Sequence, residues 1–93
     1  MLIVFWLMPL HHSSGGEMTD EGKVQFAREN YEEAAPLLAA AYRASKLPET
    51  AGLLGLTYYH LLQYKKALPL LSILLKTDPA NTQVRLALTD ILL

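Results

Sequence analysis

The chain repeats itself. Gly22, Tyr31, Ala34, Pro36, Leu37 and Leu38 return 33 residues later as Gly55, Tyr64, Ala67, Pro69, Leu70 and Leu71. Five of these six identities fall inside one shared pattern, Tyr-x-x-Ala-x-Pro-Leu-Leu, which chance does not produce at a single offset. A duplication of this length limits the fold sharply. Both copies must adopt the same supersecondary unit, and a unit this short cannot bury its apolar face alone, so neighbouring copies have to stack.

The spacing inside each copy says what the unit is. Leu37, Leu38, Ala41 and Tyr42 follow one another at steps of one and three, as do Leu70, Leu71, Leu74 and Leu75, and such steps put side chains on one face of an α-helix. The pattern predicts about five helices, over 19–28, 31–45, 49–62, 64–77 and 80–93. Asn30 suits a helix N-cap, with Glu33 completing a capping-box pair. Pro36 and Pro69 are expected near the end of the first turn of their helices, where at most one backbone bond is lost. Asp78, held out of the α region by Pro79, ends the fourth helix. Glu32-Glu33 and Lys65-Lys66 occupy equivalent positions, so stacking is expected to bring an acidic pair near a basic one.

The second copy carries a further set of residues: Leu54-Gly55, Tyr58, Ala67 and the closing Pro79. In these it resembles a tetratricopeptide repeat, a helix-turn-helix unit of about 34 residues marked by a Leu-Gly pair, a Tyr, a later Ala and a final Pro. Ala51, Leu71 and Leu74 stand where that family commonly has Trp, an aromatic residue and Ala. In the first copy Glu21 replaces the Leu and Gln25 the Tyr, which makes its first helix the least regular. The resemblance implies an all-α helix-turn-helix repeat solenoid, with repeats at about 17–47 and 48–81. The segment 82–93 would be the first helix of a third repeat, with Leu88 at the family's Leu position and Thr89 at its Gly position.

For function the resemblance implies a groove lined by the first helices of successive repeats. Phe26, Leu53, Leu56, Tyr59, His60, Leu86 and Asp90 would point toward it, and Leu53 and Leu56 fit equally well as packing between helices. The family's carboxylate clamp for chaperone C-termini uses Lys, Asn and Arg at groove positions. Those positions here hold Lys23, Leu56, Gly52, Leu86 and Asp90, and only Lys23 matches. A mainly apolar groove suits a partner helix or an extended peptide. The expected role is a protein-protein interaction module. The rival reading is a self-assembling fragment: no second helix follows 82–93, so Val84, Leu88, Ile91 and Leu92 lack their usual cover, and either the chain belongs to a longer protein or this face forms a homodimer.

Other classes find little support. Lys plus Arg number 8 against 9 Asp plus Glu, so no basic field draws the chain onto nucleic acid. The absence of Cys removes thiolate chemistry and fits a cytoplasmic protein. His60 is the only His within the repeats, no nucleophile motif surrounds Ser45 or Ser72, His11-His12 have no third ligand at a metal-site spacing, and Gly15-Gly16 precede no strand. Neither an enzyme nor a cofactor or metal site is expected. Residues 1–10 are apolar but rise only about 15 Å as a helix, half a bilayer core, and no Lys or Arg precedes Lys23 as a signal peptide requires. With the tag-like His-Ser-Gly run behind them, residues 1–16 are expected to lie outside the fold, Met18 then being a natural start; a membrane anchor is the alternative.

Overall fold

The computed structural model describes residues 14–93, with side chains from 18 onward. The expectations for residues 1–13 lie outside the described residues. The rest is all-helical: α1 (Ser14–Ala27), α2 (Tyr31–Ala44), α3 (Pro48–His60), α4 (Tyr64–Thr77) and α5 (Thr82–Leu92), with no strand among the described residues. α1 starts earlier than the expected 19, so Ser14, Gly15 and Gly16 are helical. The sequence gives no sign of this, because Gly and Ser are poor helix formers.

The duplication is written into the turns. α1 and α3 end in the same way, with the residue after the C-cap in the left-handed region: Glu29 and Leu62 both have φ 63°. The Asn30 N–H donates to the Gln25 carbonyl and the Gln63 N–H to the Tyr58 carbonyl, each at 2.8 Å. Glu29 N–H to Phe26 and Leu62 N–H to Tyr59 complete the pairs at 2.9 and 3.0 Å. This is the Schellman arrangement, formed twice at an offset of 33 residues. It also corrects the expected cap of α2. Asn30 precedes the helix, but its backbone N–H closes α1 and its side chain turns back to donate to Gln25 Oε1 at 2.8 Å, so no side-chain cap forms. Asn81 does cap α5, its Oδ1 accepting from the Val84 N–H at 3.0 Å.

Pro36 and Pro69 sit in the second turn of α2 and α4, a little deeper than expected. Each ring leaves one carbonyl without its helical donor, that of Glu32 or Lys65. Both of those residues are exposed, so water can satisfy them.

Packing follows the chain order. α1 lies against α2 and α3 against α4 most extensively, α2 against α3, and α5 against α4 and α3, while α1 also reaches α3. Within each hairpin the crossing point is a glycine. A Cβ on Gly22 would stand 2.7 Å from Leu38 Cδ2, and one on Gly55 2.9 Å from Leu71 Cδ2; both Leu side chains are fully buried. Around these contacts form two adjoining core clusters, Ala34, Leu38 and Leu54 in one and Ala67, Leu71, Leu74 and Val84 in the other, bridged by Phe26 and Tyr58.

The apolar side of α5 is where the structure departs most from expectation. Val84 is 0% exposed and Leu88 9%, and Ile91 packs half-buried against the same cluster. These residues already have cover within one chain, from α3 and α4. Leu92 alone of the four stays open, at 69%. The outward face of α5 carries Arg85, Thr89 and Leu92, all exposed.

Candidate functional site

Among the described residues, one end of the helix stack gathers most of the aromatic side chains. α1 contributes Phe26 from its last turn, α2 begins with Tyr31, α3 ends with Tyr59-His60, and α4 begins with Tyr64. The Phe26 and Tyr31 rings meet edge to face at 5.5 Å between centroids, and their repeat equivalents Tyr59 and Tyr64 lie 5.9 Å apart. His60 joins the two pairs. Its ring stacks on Tyr31 at 4.3 Å and 11°, with its edge toward Tyr59 at 5.3 Å and Phe26 at 6.3 Å. Such contacts are worth about 0.5–1.5 kcal/mol each beyond area burial, so the cluster holds the two turns together.

Below these rings, toward α5, lies an open hollow of about 260 Å³ lined by Phe26, Tyr31, Leu56, Tyr59, His60 and Leu86, with Gln83 and Ala87 at its α5 side. Five of the seven residues expected at a groove are therefore brought together. Asp90 stands at the edge and is engaged: the Tyr59 hydroxyl donates to its Oδ2 at 2.6 Å. That bond, with a smaller contribution from burial and from the charges of Asp90 and Tyr64, holds the Tyr59 hydroxyl above the ordinary tyrosine value. Leu53 lies elsewhere. It packs half-buried against the Leu38 and Leu54 cluster and lines a separate hollow of about 250 Å³ with Lys23, Glu49 and Gly52. Leu56 borders both hollows but is only 7% exposed, so it forms floor rather than contact surface, while Leu86 is 65% exposed.

Tyr31 belongs to the site and was not anticipated. The signal was present: the aromatic pair Phe26 and Tyr31 recurs as Tyr59 and Tyr64 at the repeat offset. Burial, and to a lesser degree the charge of Glu29, raise the Tyr31 hydroxyl above its ordinary value. Tyr31 also borders a second hollow, of about 380 Å³, formed with Glu29, Glu32, Glu33 and Leu61.

Among the described residues no group of three or more His, Asp or Glu is placed to hold a metal ion, and no helix is long and apolar enough to cross a membrane. The anticipated meeting of the acidic and basic pairs is replaced by a different contact: the Lys66 ammonium lies 5.3 Å from the Tyr58 ring centroid. No family model, curated protein or solved structure matches the chain.

Proposed function

We propose that the chain is a tetratricopeptide-like helical repeat module that binds a partner protein through a short helix or peptide, without enzymatic activity. The observation that carries this reading is the hollow between α1, α3 and α5, with an aromatic rim and the open Leu86 side chain beside it. Concave apolar surfaces with a few fixed polar groups suit an amphipathic segment. The Tyr59–Asp90 bond and the Tyr31–His60 stack support a preformed site, since the rim side chains already hold one another in place. Docking then needs little backbone movement. With no Cys to protect, the reading fits a cytoplasmic adaptor.

The rival reading, a homodimer through Val84, Leu88, Ile91 and Leu92, loses its main support, because Val84 and Leu88 are consumed by the chain's own core.

The test is a selection of random peptides on the immobilised chain, counter-selected against a Tyr59→Ala, Leu86→Glu double variant that retains a cooperative melt. The proposal expects peptides that bind the parent chain and shift the amide resonances of Phe26, Tyr31 and His60. Peptides that bind the variant equally well, or an empty selection, would count against it.

A further inference from the structure

The two turns at the aromatic end have the same backbone and opposite charge. Glu29, Glu32 and Glu33 in the first correspond at the repeat offset to Leu62, Lys65 and Lys66 in the second. The fold therefore does not dictate these charges, since the same Schellman turn and helix start accept either set. Acidic side chains suit the N-terminal turn of α2, whereas Lys65 and Lys66 oppose the helix dipole of α4. The basic pair is thus placed where it is locally unfavourable.

Each turn borders a hollow. The acidic one is about 380 Å³, walled by Glu29, Glu32 and Glu33 around Tyr31 and Leu61. The basic one is bordered by Leu62, Tyr64, Lys65 and Lys66, of which Leu62 is 71% and Tyr64 38% exposed. Within one chain the two sets do not neutralise each other: among the described residues no ion pair joins Glu29, Glu32 or Glu33 to a Lys or Arg, and Lys66 is turned to the Tyr58 ring. Both turns lie at the same end of the molecule, as the stacking of Tyr31 on His60 requires.

We infer that this end is a self-complementary docking surface for a second copy of the chain. A two-fold axis between the turns sets the acidic turn of each copy against the basic turn of the other. Lys65 then faces the three Glu carboxylates of the other copy, joined by Lys66 once its ammonium leaves the Tyr58 ring, and the protruding Leu62 enters the hollow beside Leu61 and Tyr31. An isologous contact of this kind closes at two copies. Single exposed ion pairs contribute little, but the symmetry makes each contact twice and adds the burial of Leu62. The result is a weak, salt-sensitive dimer. It leaves the hollow beneath the rings open and does not involve α5.

Charge exchange tests this on the full chain. Sedimentation equilibrium should show the parent chain associating to two copies, more weakly at roughly 0.5 M salt. Lys65→Glu with Lys66→Glu should weaken self-association by at least about tenfold, and so should Glu32→Lys with Glu33→Lys. An equimolar mixture of these two variants should associate again, as should the chain carrying all four exchanges. Circular dichroism checks the helices of each variant; if one is unfolded, Lys65→Gln with Lys66→Gln replaces it and should still weaken association several-fold. A parent chain that stays monomeric at about 1 mM, in the range where so weak a contact must register, would overturn the proposal. So would variants that dimerise as the parent does, a mixture that fails to associate, or growth beyond two copies.

Discussion

The Tyr59 hydroxyl reaches the Asp90 carboxylate at 2.6 Å and so ties the last turn of α3 to α5. The bond exists only while the hydroxyl keeps its proton. Deprotonation would leave a phenolate facing a carboxylate, so the Tyr59 pKa lies above its ordinary 10.0, chiefly because of this bond. A group whose pKa is raised by folding contributes stability that is fully present below the unfolded value, here about 10, and is lost as pH rises through the folded one. A carbon-13 titration of the tyrosine rings should therefore find Tyr59 deprotonating above 10.0, and Asp90→Asn should bring it back toward that value. An unchanged titration in the variant would mean that the bond does not form in solution. Neither partner announced the contact in sequence. Both residues were expected at a groove, but the 31-residue separation conveys nothing about a hydrogen bond until α5 is laid beside α3.

At the scale of the helix pair, the deciding residues are glycines. Gly55 lets α3 approach α4 until the place of a Cβ lies 2.9 Å from Leu71 Cδ2 and Cγ and 3.1 Å from Leu70 Cβ. Leu71 is fully buried and cannot swing aside. Gly55→Val should cost about 1–3 kcal/mol through overpacking, read from urea unfolding by circular dichroism, with a similar loss for the equivalent Gly22→Val. An unchanged midpoint would show that the helices are not in contact at this point. The inside face was legible in sequence, because Leu38 and Ala41, with Leu71 and Leu74 at the repeat offset, follow a helical spacing and are the residues that are buried; the crossing at the glycines was not, since a repeated Gly does not show what it lies against. The helix ends were less legible than that face. Asn30 reads as a cap, but a three-residue connection leaves it serving two helices at once, and the competing bond to Gln25 decides its side chain.

For the molecule as a whole, the question is whether α5 belongs to the fold or waits for something else to cover it. Its apolar residues at 84, 88, 91 and 92 looked uncovered because the periodicity of a helix shows that it has an apolar face, not which neighbour takes it. In the structure Val84, Leu88 and Ile91 lie on α4 and α3, where Val84 joins the cluster of Ala67, Leu71 and Leu74, and Leu92 alone of the four turns outward. The two sides of α5 then predict opposite outcomes for the same chemical change. Val84→Asp puts a carboxylate at a site with no exposure, and an unpaired buried charge costs several kcal/mol, a large share of what so small a domain has. It should abolish the cooperative thermal transition or lower it by many degrees. Leu92→Asp, on a side chain 69% exposed, should leave the transition within about 0.5 kcal/mol of the parent, as surface changes generally do. If instead Leu92→Asp unfolded the chain, or Val84→Asp melted like the parent, α5 would have to pack through its other face, and the hollow that Leu86 borders would not exist in this form. The same pair of melts thus checks both the packing of the last helix and the site that depends on it.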